Sequence, residues 1–261
     1  MSTIKELYAY RQMIFSLVKK DLRGRYKGSV LGFMWTFINP LLQLIVYSIF
    51  FGWLFQSRDN PVERYYLHLF VALIPWIFFS SSITTGAASI VSQKELVKKI
   101  YFPRMVIPIS YVTSCFVNML LCFIVVFAVI IVTGAGLNFL ALLTLPVIMI
   151  VEYIFALGMA LLTSALTVYF RDLEHILSIV AMAWMYLTPI VYSKSIVPKR
   201  YLPLFNLNPM TPIIECYRTV LYSKQMPDLS TLLMAAGLGA FFLIFGAIVF
   251  NKLQKHFAEE L

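Results

Sequence analysis

Apolar residues in this chain come in long, nearly unbroken runs parted by short polar breaks. Neither the strict alternation of a half-buried strand nor the single stripe of a soluble helix describes most of its length. Crossing a bilayer takes about 17 to 25 mostly apolar residues. Six runs qualify: 32–55, 66–91, 105–133, 139–170, 176–192 and 230–251. Backbone groups inside hydrocarbon must be bonded within their own segment, so each run is read as a helix. The short alternating segments of a membrane barrel are absent from the sequence. The expected fold is an all-α integral membrane protein, a single transmembrane domain spanning 1–261 with six transmembrane helices.

The segments between the runs carry their own patterns. Over residues 4–27, Ile4, Leu7, Tyr8, Ile14, Phe15, Val18, Leu22 and Tyr26 fall near helical spacing on one face, with Lys5, Glu6, Gln12, Lys19, Lys20 and Arg23 largely elsewhere. This predicts an amphipathic helix lying in the headgroup layer, its basic side chains reaching anionic lipid; an ordinary solvated helix is the alternative. Gly28 and Gly32 mark a bend before the first run, and Asn39–Pro40 is expected to interrupt the helix within it. The loop "SQKELVKKIYFPR", 92–104, predicts a brief helix from Glu95 to Tyr101 presenting Leu96, Ile100 and Tyr101, or else a plain basic turn. Residues 193–229 combine five prolines with apolar stretches such as "IIECYRTVLY". Two short helices that dip into the membrane and return fit this mixture; a surface loop is the alternative.

Composition removes one class of partner. The chain is 61% hydrophobic and 13% charged, with a net charge of +9. A soluble domain carries about 25% charged residues. The positive balance is therefore read as a topology signal, not as a nucleic-acid footprint. Lys5, Arg11, Lys19, Lys20, Arg23, Arg25, Lys27, Lys94, Lys98, Lys99, Arg104, Arg171, Lys252 and Lys255 fall on one side of a six-span topology. The other side holds half as many: Arg58, Arg64, Lys194, Lys199, Arg200, Arg218 and Lys224. Both termini are accordingly expected in the cytoplasm. Cys115, Cys122 and Cys216 make no disulfide framework, and no His/Cys cluster has metal spacing.

Candidate chemistry is sparse. The sequence holds no G-x-x-x-x-G-K-[ST] phosphate loop and no G-x-S-x-G elbow. No catalytic, cofactor or metal residue is assigned. Glu152 is an acid well inside the fourth run, and intramembrane acids are functional candidates. It is expected either to face a helix interface or aqueous path, with a Ser, Thr or Tyr hydroxyl as partner, or to lie hydrated near the outer interface. Trp35, Tyr47, Phe51, Phe78, Phe79, Tyr153 and Tyr186 sit in or near the runs. Aromatic faces stack on sugar rings, so these and Glu152 are candidates to line a path for a glycan; simple interfacial anchoring is the alternative for the aromatics.

The order "RYKGSVLGFMWTFINPLLQLIVY", "LIPWIFFSSSI", "ELVKKIYFPRMVIP", "VYFRDLEHIL", "TPIVYS" and "NPMTPIIECYRTVLY" resembles the permease subunit of type-2 ABC exporters over nearly the whole chain. The branch it looks most like exports lipid-linked polysaccharides of the O-antigen, capsule or teichoic acid type. The resemblance implies two six-span permeases in the bacterial cytoplasmic (inner) membrane, paired above two copies of a separate ABC ATPase that carries the ATP and Mg. It implies that the helix 4–26 and the segment 95–104 transmit ATPase motion. Glu95, Lys98, Lys99, Tyr101, Phe102 and Arg104 then serve the coupling, with Arg171 and Asp172 of "YFRD" in a second contact region. Helices within 196–222 would gate the outer side. The pyrophosphate end of a glycolipid would meet the basic rim, where Arg23, Arg25 and Lys27 are candidates for the headgroup; holding topology is their other role. A small-molecule or drug exporter of the same superfamily and a membrane-embedded glycosyl- or acyltransferase are the competing functions. The isolated acids offer a transferase no catalytic cluster.

Overall fold

The computed structural model describes residues 3–25, 28–56, 64–194 and 197–261. Tyr26, Lys27, Arg58 and Ile196, four positions used in the sequence reading, lie outside them. The helices in chain order are α1 (Thr3–Ala9), α2 (Arg11–Gly24), α3 (Trp35–Gln56), α4 (Tyr65–Ser92), α5 (Lys94–Lys99), α6 (Val106–Val132), α7 (Phe139–Leu142), α8 (Leu145–Tyr169), α9 (Leu173–Leu187), α10 (Leu202–Leu207), α11 (Met210–Leu221), α12 (Leu229–Leu253) and α13 (Phe257–Glu260). No strand occurs among the described residues. Five segments are long and apolar enough to cross a membrane, built on α3, α4, α6, α7–α8 and α12. The fifth apolar run instead gives α9, whose 15 residues extend about 22 Å, short of a hydrocarbon core of about 30 Å. Its continuation, 188–192, is irregular but buried or partly buried.

Several boundaries differ from the sequence expectation for identifiable reasons. The amphipathic helix is two helices meeting at Tyr10. Helix α5 stops at Lys99, short of the expected Tyr101, because Ile100 turns extended and Pro103 disfavours helical geometry at the residue before it. Pro40 does not interrupt α3. A proline within a helix leaves the carbonyl four residues earlier without its N–H. Here that carbonyl is Thr36, and the Cys122 thiol on α6 donates to it at 3.4 Å. The bend before α3 is where glycine is needed: Gly28 and Gly32 have φ of 86° and 46°.

Helix α4 is the axis of the bundle. It is buried along most of its length, from Leu67 to Ile90, and packs on α6 and α8, while α8 packs on α12. Between helices in lipid there is little hydrophobic drive, so close approach of small residues carries the packing. Gly158 on α8 shows this directly. A Cβ there would land on the α12 backbone at Phe242 and Leu243, and one at Gly246 would strike the Gly158 carbonyl. Large apolar side chains remain exposed on the outward faces of α3 (Ile45, Ile49), α9 (Ile176, Ile179) and α12 (Leu233, Ile244). Both termini, α5 and the α8–α9 turn gather at one end of the bundle. At the far end, α10 and α11 fold back, and α11 packs among α4, α8 and α12.

Candidate functional site

The end that carries both termini contains an open cleft of about 880 Å³. Its rim bears Lys5, Lys98, Lys99, Arg104 and Lys255, with Glu6 the acidic side chain among the lining residues. Tyr101 is 97% exposed beside it, and Ile100 is exposed as well. Glu95 and Lys99 pair at 2.7 Å across one turn of α5, both well exposed, a contact that adds little stability. Phe102 is buried with Val97 and Met105 in the wall of the cleft. Arg104 is half-buried and donates to the Gln254 carbonyl. Arg171 and Asp172 are exposed on the α8–α9 turn and do not line the cleft.

The three headgroup candidates divide. Arg23 is exposed on α2, on a groove of about 1010 Å³ that also bears Arg11, Lys19, Phe15 and Phe33. Arg25 turns inward instead. Its Nε donates to Asp21 at 2.9 Å and its Nη2 to the Cys115 sulfur at 3.2 Å, while the Ser114 hydroxyl donates to the same Asp21 carboxylate. Burial works against the Arg25 charge, but the Cys115 sulfur and Asp21 carboxylate outweigh it and hold the guanidinium above its ordinary pKa. Arg25 and Asp21 thereby fasten the amphipathic helix to α6, and the Arg25 charge is already matched within the chain.

At the far end, the irregular segment after α9 poses a different problem, because unpaired carbonyls at membrane depth are costly. Arg218 on α11 answers it. The side chain is 8% exposed, donates to the Pro189 carbonyl, to Ile190 at 2.6 Å and, on its other side, to the His68 carbonyl of α4 at 3.4 Å. Guanidinium is suited to this because its donors form a rigid planar fork. Asn208 ties the same region together. It accepts from Trp184 Nε1 at 2.9 Å and from the Met210 N–H at 3.0 Å, and donates to Thr188 Oγ1 at 2.9 Å. Lys194 and Glu215 pair at 2.9 Å.

Glu152 is fully buried, and its carboxyl group accepts from the Tyr217 hydroxyl at 2.7 Å. It sits seven residues into α8, about 10 Å along that helix, which measures how far α11 reaches into the bundle. Phe78 and Phe79 are buried too. Phe79 stacks on Phe155 at 4.9 Å and meets Trp184 edge-on at 5.2 Å. These three are packed within this chain, so none offers a face to a passing solute. Tyr153 is largely enclosed, sharing a hydrogen bond of 2.9 Å with Thr113 and a ring contact with Phe116. Trp35 donates to Ser29 at 3.0 Å at the start of α3. Tyr47 and Phe51 are half-buried on α3. Tyr186 is 51% exposed. Among the described residues, no three His, Cys, Asp or Glu side chains gather into a group able to hold a metal.

Residues 12–222 match the ABC-2 type transporter family. The chain belongs to that family. It is 32% identical over 260 residues to the O-antigen export system permease protein RfbA of Myxococcus xanthus, covering 99% of this chain and 98% of that one. It is 32% identical over 249 residues to an RfbA of Klebsiella pneumoniae, 95% of each chain. It is 24% identical over 210 residues to the polysialic acid transport protein KpsM of Escherichia coli, 78% of each. ABC-2 permease chains lack ATPase motifs, in keeping with the missing phosphate loop here. The ABC-2 match ends at residue 222, before α12 and the C-terminal tail.

Sequence reasoning overlooked several residues that organise this ABC-2 chain. In the sequence reading Arg218 enters only the charge tally of the outer side, although a cation inside "IIECYRTVLY" carries the same signal of a buried role as Glu152 does. Tyr217 was foreseen only as a residue type, a hydroxyl partner for Glu152. The Asp21–Ser114 bond and the burial of Phe257 have no local signal, since their partners are 93 residues apart in the first case and lie on three different elements in the second.

Proposed function

We propose that this chain is the membrane-spanning subunit of an ATP-driven exporter. Its cargo is a lipid-linked polysaccharide of the O-antigen, capsule or teichoic acid type, moved across the bacterial cytoplasmic membrane. The observation that carries this reading is the end-to-end likeness to proteins named as O-antigen export permeases. ATP and Mg then belong to two copies of a separate cytoplasmic ATPase. The basic cleft between α1, α5 and the tail, with Tyr101 and Ile100 beside it, suits an acidic partner surface with an apolar centre. Both termini are cytoplasmic in this reading, and the α10–α11 wedge faces outward.

A second copy of the chain pairs through the open apolar faces of α3 and α9, where membrane lipids would otherwise sit. Trp35, Tyr47, Phe51 and Tyr186 lie on or beside those faces and are the proposed lining of the glycan path. Tyr153, Phe78, Phe79 and Glu152 serve packing instead. Arg23 remains the proposed headgroup contact, with Lys27 near it in sequence, and Arg25 acts through Asp21 on the placement of α2.

Deletion of the gene tests the function. Lipid-linked glycan should accumulate on the cytoplasmic side and disappear from the cell surface, and re-expression should reverse both. Normal surface glycan in the deletion strain would refute the export reading.

A further inference from the structure

The cleft wall holds a feature that neither the family match nor the sequence motifs include. After α12 the chain turns back on itself, and Phe257 becomes fully buried. Its ring meets Phe250 edge-on at 5.5 Å and Tyr169 at 6.4 Å. The Arg104 guanidinium lies over the same ring at 5.8 Å and also donates to the Gln254 carbonyl. The Tyr169 hydroxyl donates to the Leu253 carbonyl at 2.9 Å.

Arg104 closes the α5 segment, and Tyr169 opens the "YFRD" turn. These two segments are 65 residues apart and adjoin different transmembrane helices, yet both are fastened to one ring and to neighbouring carbonyls, Leu253 at the end of α12 and Gln254 at the start of the tail. Gln254 and Lys255 of that tail also line the cleft. A force applied to either segment is therefore delivered to a shared, packed unit, because close-packed groups transmit strain instead of yielding locally.

We infer that the C-terminal tail, 254–261, is a clasp that makes the two ATPase-facing segments move as one body, with Phe257 as its positioning residue. This rests on the proposed function, since it requires the separate ATPase. The clasp touches neither substrate nor nucleotide; it acts by holding Arg104 and Tyr169 in fixed relation. Removing the ring leaves two segments that respond independently, so hydrolysis continues while transport falls.

The test uses the full permease–ATPase complex in membrane vesicles, reading ATPase co-purification, ATP hydrolysis and lipid-linked glycan exported per ATP. Phe257→Ala should retain the ATPase at the wild-type amount and lower export per ATP about tenfold. Phe257→Leu, which keeps the apolar volume and loses the ring face, should fall between. A purely structural residue would lower the yield of complex and leave export per ATP of the surviving complex unchanged; that result overturns the proposal. Loss of ATPase binding in Phe257→Ala alone also overturns it, by making the tail a docking element. If Phe257→Ala does not accumulate, Arg104→Gln removes the charged partner while leaving the buried ring, and unchanged export per ATP there counts equally against the clasp. Failure of the wild-type chain to retain any ATPase would instead refute the partner reading itself.

Discussion

Arg218 and Lys98 carry the same charge at opposite ends of the bundle, and their surroundings give them opposite work. Arg218 is buried, and its donors go to carbonyls of its own chain at Pro189, Ile190 and His68. Lys98 is exposed on a cleft whose rim is mostly basic. A buried cation that saturates irregular backbone is part of the fold, because withdrawing it leaves acceptors with nothing to bond. An exposed cation among like charges destabilises its own surface slightly and is available to a partner of opposite sign. Arg25 stands between the two: partly buried, matched by Asp21, and holding one element against another. The sign of a charge thus says little here until its burial is known.

Substitutions at the two ends should separate stability from partnership. The largest effect is expected at Arg218. Replacement by Ala strands at least two buried carbonyls, each costing about 1–3 kcal/mol, so folded protein should fall sharply in detergent thermal-unfolding assays. Lys should rescue poorly, because one ammonium cannot reproduce the planar fork. Next is Glu152. Glu152→Ala leaves the Tyr217 hydroxyl buried without its acceptor and should cost about 1–3 kcal/mol, whereas Glu152→Gln keeps a carbonyl acceptor and should cost less than half of that. Unchanged unfolding temperature in Glu152→Ala would show that α11 is not held through this bond. Asp21→Ala releases Arg25 and should destabilise by about 1–2 kcal/mol. Its sharper consequence is faster proteolysis at residues 11–24, where α2 loses its tie to α6. The smallest stability effect belongs to the double reversal Lys98→Glu and Lys99→Glu, within about 0.5 kcal/mol. That same variant should uncouple ATP hydrolysis from export in the assembled complex. Retained coupling would move the ATPase contact away from α5.

Hydrophobic runs made the five long apolar segments legible, because length and apolarity are local properties. The break at 188–192 was harder to read: α9 ends at Leu187, and what makes the following residues tolerable lies 26 to 30 positions later, in Arg218. Pro40 shows the same limit. Locally it predicts a break; the Cys122 thiol, 82 residues onward, supplies the missing hydrogen bond and the helix continues. For the aromatics, residue type suggested a sugar-facing lining for all, and packing divided them. Phe79 fills the core against Phe155, while Tyr186 stays open.

By itself, then, the sequence determined an all-helical membrane chain without its own phosphate loop, since composition, run length and motif presence need no knowledge of contacts. The basic residues before the first span are readable there as charge, but not as function. Only the tertiary structure decided that Arg25 is turned inward to Asp21 while Arg23 stays outside. It alone placed Glu152 against Tyr217 and folded the tail so that Phe257 joins Arg104 to Tyr169. Those outcomes depend on which distant side chain supplies a hydrogen bond or a packing surface, and such information resides in the fold and not in any local pattern.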